Sequence, residues 1–249
     1  MDISIVIITK NEEKNISDCL EGAYLISKDV IVVDTGSSDK TVQIASQKGA
    51  KVVVIEWNGY GNARNEAANN ALNNWIFALD ADERITPTLA DNIKRLKLTD
   101  NKVLYGCKRE SFLVQKKIKH GDWGRDKVYR LYNKQITQWD LVSVHENINV
   151  KGLTKQLIGG SLLHYTMDSL ETYKLKKLRY AQLSAEKYFS QHKKATFVKR
   201  FLSPLFVFIQ TYLLRLGFLD GKEGFIIAKY SAQYVWTKYN LLNEMNLKK

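Results

Sequence analysis

Four short runs dominated by Val and Ile, residues 3–9, 30–34, 52–55 and 75–79, are each bounded by polar or glycine-containing segments. Continuous apolar runs of that length predict strands buried on both faces, as in a parallel sheet. Between them apolar residues recur at helical spacing. Ile16, Cys19, Leu20 and Ala23 follow a candidate N-cap at Asn11, Val42 and Ala45 follow Ser37-Ser38-Asp39, and Ala63, Ala67, Ala68, Ala71 and Leu72 mark a third helix. Strands alternating with helices predict a doubly wound α/β sheet, whose ligands sit at the carboxyl ends of the strands.

Past Glu83 the pattern changes. Thr86-Pro87 supplies the N-cap and first position of a helix reaching about Leu96, and strand-like stretches follow near 103–107, 111–118, 128–132 and 147–150. These predict a mixed second half of the same sheet. From Asp168 onward the chain reads as helix, with Leu178, Ala181, Ala185 and Tyr188 on one stripe, an apolar helix opening at Ser203-Pro204 and a last one across 222–240. The expected division is an α/β domain over 1–165 and an amphipathic helical extension over 166–249.

Composition narrows the class. At 249 residues, 45% apolar and 26% charged, the chain is that of an ordinary globular protein, without repeats or low-complexity runs. Its two cysteines, Cys19 and Cys107, fall inside periodic segments and predict no disulfide framework, so a reducing compartment is expected. The apolar start lacks a basic region before it and a cleavage site after it, and reads as a strand rather than a leader. The weakly polar stretch from Phe201 to Leu214 is short of the roughly 20 residues a spanning helix needs. The net charge of +12 is uneven: residues 1–165 hold 23 Lys+Arg against 20 Asp+Glu, residues 166–249 hold 15 against 6, and the extension carries +9.

The chemistry concentrates at Leu79-Asp80-Ala81-Asp82-Glu83, where an apolar strand ends in three carboxylates. Alternate residues of a strand share a face, so Asp80 and Asp82 point the same way, about 7 Å apart. Magnesium is commonly held by one or two carboxylates together with substrate phosphates, which this spacing suits. An acidic strand-to-helix turn would have the same sequence.

Three segments in order, Ile7-Ile8-Thr9-Lys10-Asn11-Glu12-Glu13, Val32-Val33-Asp34-Thr35-Gly36-Ser37-Ser38-Asp39-Lys40-Thr41 and the Asp-x-Asp stretch, resemble the nucleotide-sugar-dependent glycosyltransferases of family 2. Gly59-Tyr60-Gly61-Asn62-Ala63-Arg64-Asn65, His120-Gly121-Asp122-Trp123 with Arg130-Leu131-Tyr132, Val144-His145-Glu146, His164-Tyr165 and Gly217-Phe218-Leu219-Asp220-Gly221 are similar to a narrower group, the lipopolysaccharide and lipooligosaccharide core β-1,4-glucosyltransferases. The resemblance runs over nearly the whole chain. It implies a Rossmann-like nucleotide-sugar-binding (GT-A type) domain, an inverting transfer from UDP-glucose, Mg²⁺ or Mn²⁺ as cofactor, and a saccharide or glycolipid acceptor.

Site residues follow from that resemblance. Asp82 would bind the cation, Asp80 would contact ribose and the metal region, and His164 would complete the metal shell. Glu146 is the expected base, with Asp122 in reserve and His145 orienting it or touching the sugar. Asp34 would bind the nucleotide, although its Gly-Ser-Ser neighbours equally suit a turn. Thr9 and Glu12 occupy the first loop. Arg64, in the first turn of the alanine-rich helix, is a candidate phosphate ligand or else a surface arginine pairing with Glu66 or Asp34, and Arg130 is a candidate phosphate ligand or else a surface strand residue. His120 and Trp123 would line the sugar or acceptor pocket, or belong to the core.

In the extension Phe201, Leu202, Leu205, Phe206, Phe208, Ile209, Tyr212 and Leu213 are too many for one stripe, and Lys193, Lys194, Lys199, Arg200 and Arg215 flank them. Such a helix suits an anionic membrane interface, and packing on neighbouring helices suits it equally. Peripheral attachment at the cytoplasmic face of a membrane is the expected location. Nucleic acid is not an expected partner, since no nucleic-acid motif accompanies the basic charge. A nucleotidyltransferase of similar fold is the nearer alternative, against which the acidic Lys10-Asn11-Glu12-Glu13 loop argues, because a triphosphate needs positive charge there.

Overall fold

Side chains alternate across a strand, and in the computed structural model, which describes residues 2–141, 147–167 and 169–247, the first strands bury both sets. Strand β1 (Ile3–Thr9) is buried throughout. Its Ile3, Ile5 and Ile7 join Val30, Val32, Phe77 and Leu79 on one face, under Ile16, Cys19, Leu20 and Leu89. Its Val6 and Ile8 join Ile31, Val33, Ile76 and Ala78 on the other, under Ala63, Ala67 and Ala68. That two-sided burial is why the runs at 3–9, 30–34 and 75–79 read as continuous apolar stretches without alternation. The run at 52–55 differs from expectation, since Lys51–Val54 is an edge strand with Val54 65% exposed.

The elements succeed one another as β1, α1 (Ile16–Tyr24), β2 (Val30–Asp34), α2 (Thr41–Gln47), β3 (Lys51–Val54), α3 (Tyr60–Asn69), β4 (Trp75–Asp80), β5 (Glu83–Ile85), α4 (Pro87–Lys94), β6 (Val103–Leu113), β7 (Lys116–Lys117), β8 (Lys127–Asn133), β9 (Thr154–Met167), α5 (Leu170–Ser190), α6 (Ser203–Ile209) and α7 (Gly221–Leu247). The sheet order is β3-β2-β1-β4-β8-β6-β9-β5, with β7 paired to β6. Strands β1 to β4 are mutually parallel, while β4–β8, β6–β8 and β5–β9 are antiparallel. The α/β class is as expected, and the parallel part ends at β4.

Three local readings change. The first helix begins at Ile16 with Asn15 at the N-cap, because Asn11 adopts φ 56° and turns its side-chain oxygen to accept from the Ser38 amide at 2.8 Å. Residues 103–113 form one strand, and 147–150 contributes only an isolated bridge between Trp139 and Ile148. Strands β5 and β9 lie outside the sequence reading; β5 carries two charged residues in three, and β9 is interrupted by Gly159-Gly160.

Two compact units result: residues 1–109 with 127–164, and residues 110–126 with 165–249. Beside the expected helical extension, the second unit therefore takes in the β6–β7 hairpin end and the segment to Asp126. It has its own small core of Leu113, Ile118, Tyr173 and Ile227, and α5 and α7 are joined by a Ser184–Tyr234 hydroxyl pair at 2.8 Å. No single described helix is long and apolar enough to cross a membrane, and one bent pair, Val198–Leu214 with Gly217–Leu247 at 69°, reaches that length and composition jointly.

Gly160 offers a test of the first unit's packing. Its φ is +97°, and a Cβ there would lie 2.6 Å from Leu89 Cα. Positive φ on a non-glycine residue costs on the order of 1–3 kcal/mol before any overlap is counted. Gly160→Ala should therefore lower the melting temperature by at least about 4 °C, read by circular dichroism, for a chain of this size.

Candidate active site

β1, β2 and β4 end side by side, with Thr9 opposite Asp34 and Ile8 opposite Asp80 in the parallel registers. Such ends present backbone and side chains to a ligand without an intervening crossover. The loops that follow are tied together. The Asn11 amide donates to Ser37 Oγ at 2.8 Å, the Glu12 amide to Thr41 Oγ1 at 2.8 Å and the Glu13 amide to Asp39 at 3.1 Å. Asp34 is 1% exposed; its Oδ1 accepts from the amides of Gly36 and Ser37 at 3.0 and 2.8 Å, and its other oxygen from the Ser37 hydroxyl. Of the two roles open to Asp34, the turn is the one these bonds support. Glu12 accepts from Asn15 Nδ2 at 2.8 Å. Thr9 is buried, and its Oγ1 has no hydrogen-bond partner among the described residues.

At the end of β4 the carboxylates take separate roles. Asp80 lies between two guanidinium groups, with Arg64 Nη2 at 2.6 Å from one oxygen and Arg130 Nη2 at 2.8 Å from the other. Arg130 also reaches Glu83 at 2.9 Å, and Glu83, 0% exposed, accepts from the Asp80 amide at 3.0 Å and lies 3.6 Å from Arg109. Burial alone would raise the Asp80 carboxyl, but Arg64 and Arg130 outweigh it and hold it well below the usual carboxylate range. Burial would likewise lower Arg130, and Glu83 and Asp80 reverse it. Arg64 and Arg130 are thus turned inward to Asp80, not outward as the phosphate ligands the sequence suggested. Glu83, which no sequence pattern assigns a chemical role, anchors the network.

Trp139 roofs this network. Its ring lies 4.5 Å from the Arg64 guanidinium and 5.9 Å from that of Arg130, and its indole N–H donates to Tyr132 Oη at 3.2 Å. Asn65, next to Arg64 on α3, accepts from the Trp139 amide and donates to the Trp139 carbonyl, both at 3.0 Å. Gly61 lets the segment come this close, since a Cβ there would meet the Asp140 carbonyl oxygen at 1.9 Å. Asp140 and Asn147 are joined by a 2.9 Å backbone bond, and Asn149 donates to Gln138 at 3.1 Å. Between these legs run residues 142–146, so His145 and Glu146, the expected orienting residue and base, lie outside the described residues. Trp139 carried no signal beyond an isolated tryptophan in a polar stretch.

Asp82 has a different partner. The β5–β9 register sets Glu83 opposite His164, which brings His164 Nε2 to 3.3 Å from Asp82 Oδ2. Both side chains are mostly buried yet reach solvent, at 16% and 14% exposure. The carboxylate of this pair is of the type that holds Mg²⁺ or Mn²⁺, and the imidazole beside it suits a transition-metal ion rather than Mg²⁺.

The remaining candidates belong to the second unit. His120 donates its amide to Asp220 at 2.8 Å and sets its ring nitrogen 3.1 Å from the same carboxylate. Asp122 pairs with Arg215 and accepts from Thr211 Oγ1 at 3.2 Å, and Trp123 packs edge-on to Tyr173 at 5.6 Å. Each of the three, expected to line the sugar pocket or to stand as reserve base, thus has a partner within that unit. Asp220, 4% exposed, also accepts from the Lys119 amide at 3.1 Å, which accounts for the Gly217-to-Gly221 motif as a local hub. Cys19 and Cys107 are buried free thiols, and burial, assisted by Glu83, pushes Cys107 up to about 12.

The family model for glycosyl transferase family 2 matches residues 4–156, well over half of the chain. The chain belongs to glycosyl transferase family 2. It is a glycosyltransferase. An uncharacterized glycosyltransferase of Rickettsia typhi is 30% identical over 99% of this chain and 88% of its own length. The lipopolysaccharide core biosynthesis glycosyltransferase LpsC of Rhizobium meliloti is 26% identical over 95% of this chain and 90% of its own. Among solved structures, that of S. aureus TarS residues 1–349 covers 100% of this chain and 92% of its own at 17% identity, with a TM-score of 0.47.

Removing one member of a buried ion network strands the others and costs about 3–5 kcal/mol. Glu83→Ala should lose about that much in urea unfolding, whereas Asp82→Ala, at a solvent-reaching position, should stay within about 1 kcal/mol of the parent. Equal losses in both would contradict the division of roles.

Proposed function

We propose that this glycosyltransferase moves a hexose, with inversion, from a nucleoside diphosphate onto a saccharide of a bacterial surface glycolipid. UDP-glucose is the expected donor, and a divalent cation, Mg²⁺ or Mn²⁺, is held by Asp82 and His164. The observation that carries the reading is the Asp82–His164 pair beside an Asp80 whose oxygens are committed to arginines. Among the described residues no group of three or more His, Cys, Asp or Glu side chains converges on one point. Further ligands would come from the donor's phosphates and water, as is usual for magnesium. The relative named for lipopolysaccharide core biosynthesis supports the acceptor class.

In the proposed reaction the acceptor hydroxyl oxygen bonds to the anomeric carbon while the bond from that carbon to the diphosphate oxygen breaks. Glu146 takes the hydroxyl proton, and the nucleoside diphosphate leaves with the bonding pair. A bound cation would supply Lewis-acid stabilisation of that leaving group. Asp82 and His164 fix its place, and Thr9 Oγ1 offers a hydrogen bond to the nucleotide. The Asn65–Trp139 clamp ties the leg that precedes Glu146 to the helix that carries Arg64. Alignment of this kind is a principal source of rate in a two-substrate transfer.

Peripheral contact with the cytoplasmic face of a membrane is part of the proposal. Residues 187–219 hold six Lys or Arg and no Asp or Glu, and Phe197, Phe201, Leu202, Leu205 and Phe206 are 45–71% exposed. Exposed aromatics flanked by lysines suit an anionic lipid surface.

Nucleotide release from a panel of donor sugars, with Mn²⁺ or EDTA, tests the reading. UDP-glucose turnover should require the metal. Asp82→Ala and His164→Ala should lower kcat/KM by at least about 100-fold, and Glu146→Gln should lose turnover while binding donor. Full metal-dependent activity in Asp82→Ala would refute the ligand assignment, and turnover of no nucleotide sugar at all would refute the transfer.

A further inference from the structure

Lys238 on α7 is 9% exposed and carries no carboxylate partner among the described residues. Its ammonium lies among three tyrosine rings, 4.4 Å from Tyr239, 4.9 Å from Tyr188 and 5.5 Å from Tyr234. The Tyr188 ring is shared: Lys193 Nζ sits 4.2 Å from its centroid. Two ammonium groups therefore lie against one aromatic ring. Burial, then Lys193 and Lys199, push the Lys238 ammonium below its ordinary value, and no acidic group counters them.

Cation–π attraction is worth about 0.5–2 kcal/mol, more when desolvated, and it draws one cation to a ring. It does not explain setting two lysines on one ring, since each positive charge opposes the other and a buried charge is costly without a counter-ion. An anion with several acceptor oxygens removes both costs, because a phosphate accepts from several ammonium and phenol groups at once. Nothing acidic in the sequence from 187 to 219 competes for the place.

We propose that Lys193 and Lys238, which share the Tyr188 ring, form with that ring a binding site for a phosphate-bearing group. The site is built by α5, α7 and the segment between α5 and α6, all within the second unit. Two sources offer the same chemistry: the headgroup of an anionic lipid and a soluble phosphate compound. Phe197 and Phe201 follow Lys193 and Lys194 in sequence and are exposed, so a lipid headgroup would be met by apolar side chains close along the chain.

The test uses the full chain and inorganic phosphate as probe, against sodium chloride at equal ionic strength. Phosphate should raise the melting temperature, and both Lys238→Met, which keeps the aliphatic stem, and Lys193→Gln, at an exposed position, should lose at least half of that shift. Lys193→Gln decides alone if Lys238→Met does not fold. Flotation with phosphatidate-containing and pure phosphatidylcholine vesicles identifies the source. Recovery on phosphatidate that falls several-fold in the variants assigns the lipid headgroup, and unchanged recovery beside a lost phosphate shift assigns a soluble compound. A phosphate shift absent in the parent, or undiminished in Lys193→Gln, overturns the site. Because nucleotide release is measured separately, loss of this site is distinguishable from failure of the transfer reading.

Discussion

Asp80 is a carboxylate at the end of a buried strand with a guanidinium on each oxygen, and much of the first unit's functional end depends on that arrangement. A charge in such a place is stable only if paired and hydrogen-bonded. Here the pairing draws α3 through Arg64, β8 through Arg130 and β5 through Glu83 to one point. The same arginines form the floor on which Trp139 lies, and Trp139 is in turn clamped by Asn65. Strand end, helix and the residue 138–141 segment are therefore coupled through one electrostatic centre.

That coupling separates two acidic residues that look equivalent in sequence. Asp80, although its side chain is 27% exposed against 16% for Asp82, has both oxygens on buried arginines, while Asp82 faces an imidazole. A ligand that must enter and leave is better served by the second, because its oxygens are not locked into a permanent ion pair. Glu83 completes the contrast: fully buried, it serves the fold at the position next to the residue proposed to serve the chemistry.

The strands β1, β2 and β4 and the helices between them were legible because each is a long enough run of one hydrophobic period, buried on both faces. The Thr86-Pro87 start of α4 was legible for a local reason, a side-chain cap that Thr86 makes to the Leu89 amide at 3.3 Å. Strand β5 was not, since Glu-Arg-Ile is charged and becomes a strand only by pairing with β9, some eighty residues away in sequence. That one non-local register also sets His164 against Asp82, so the pairing of these two residues was accessible from the family resemblance and not from spacing. The inward turn of Arg64 and Arg130 was hidden likewise, because an arginine's partner is a fact of tertiary structure. In the second unit, the burial of Lys238 among tyrosines lay behind what reads in sequence as an ordinary charged helix face.

The most direct measurement of the central claim is the ionisation of Asp80 itself, followed by ¹³C NMR of the aspartate carboxyl carbons and assigned with Asp80→Asn. An ordinary aspartate titrates near pH 3.9. With Arg64 and Arg130 holding the carboxylate, the Asp80 resonance should stay flat from neutral pH to about 3, while exposed aspartates move. A midpoint near the ordinary value would show that the arginines do not hold Asp80, and would contradict the account.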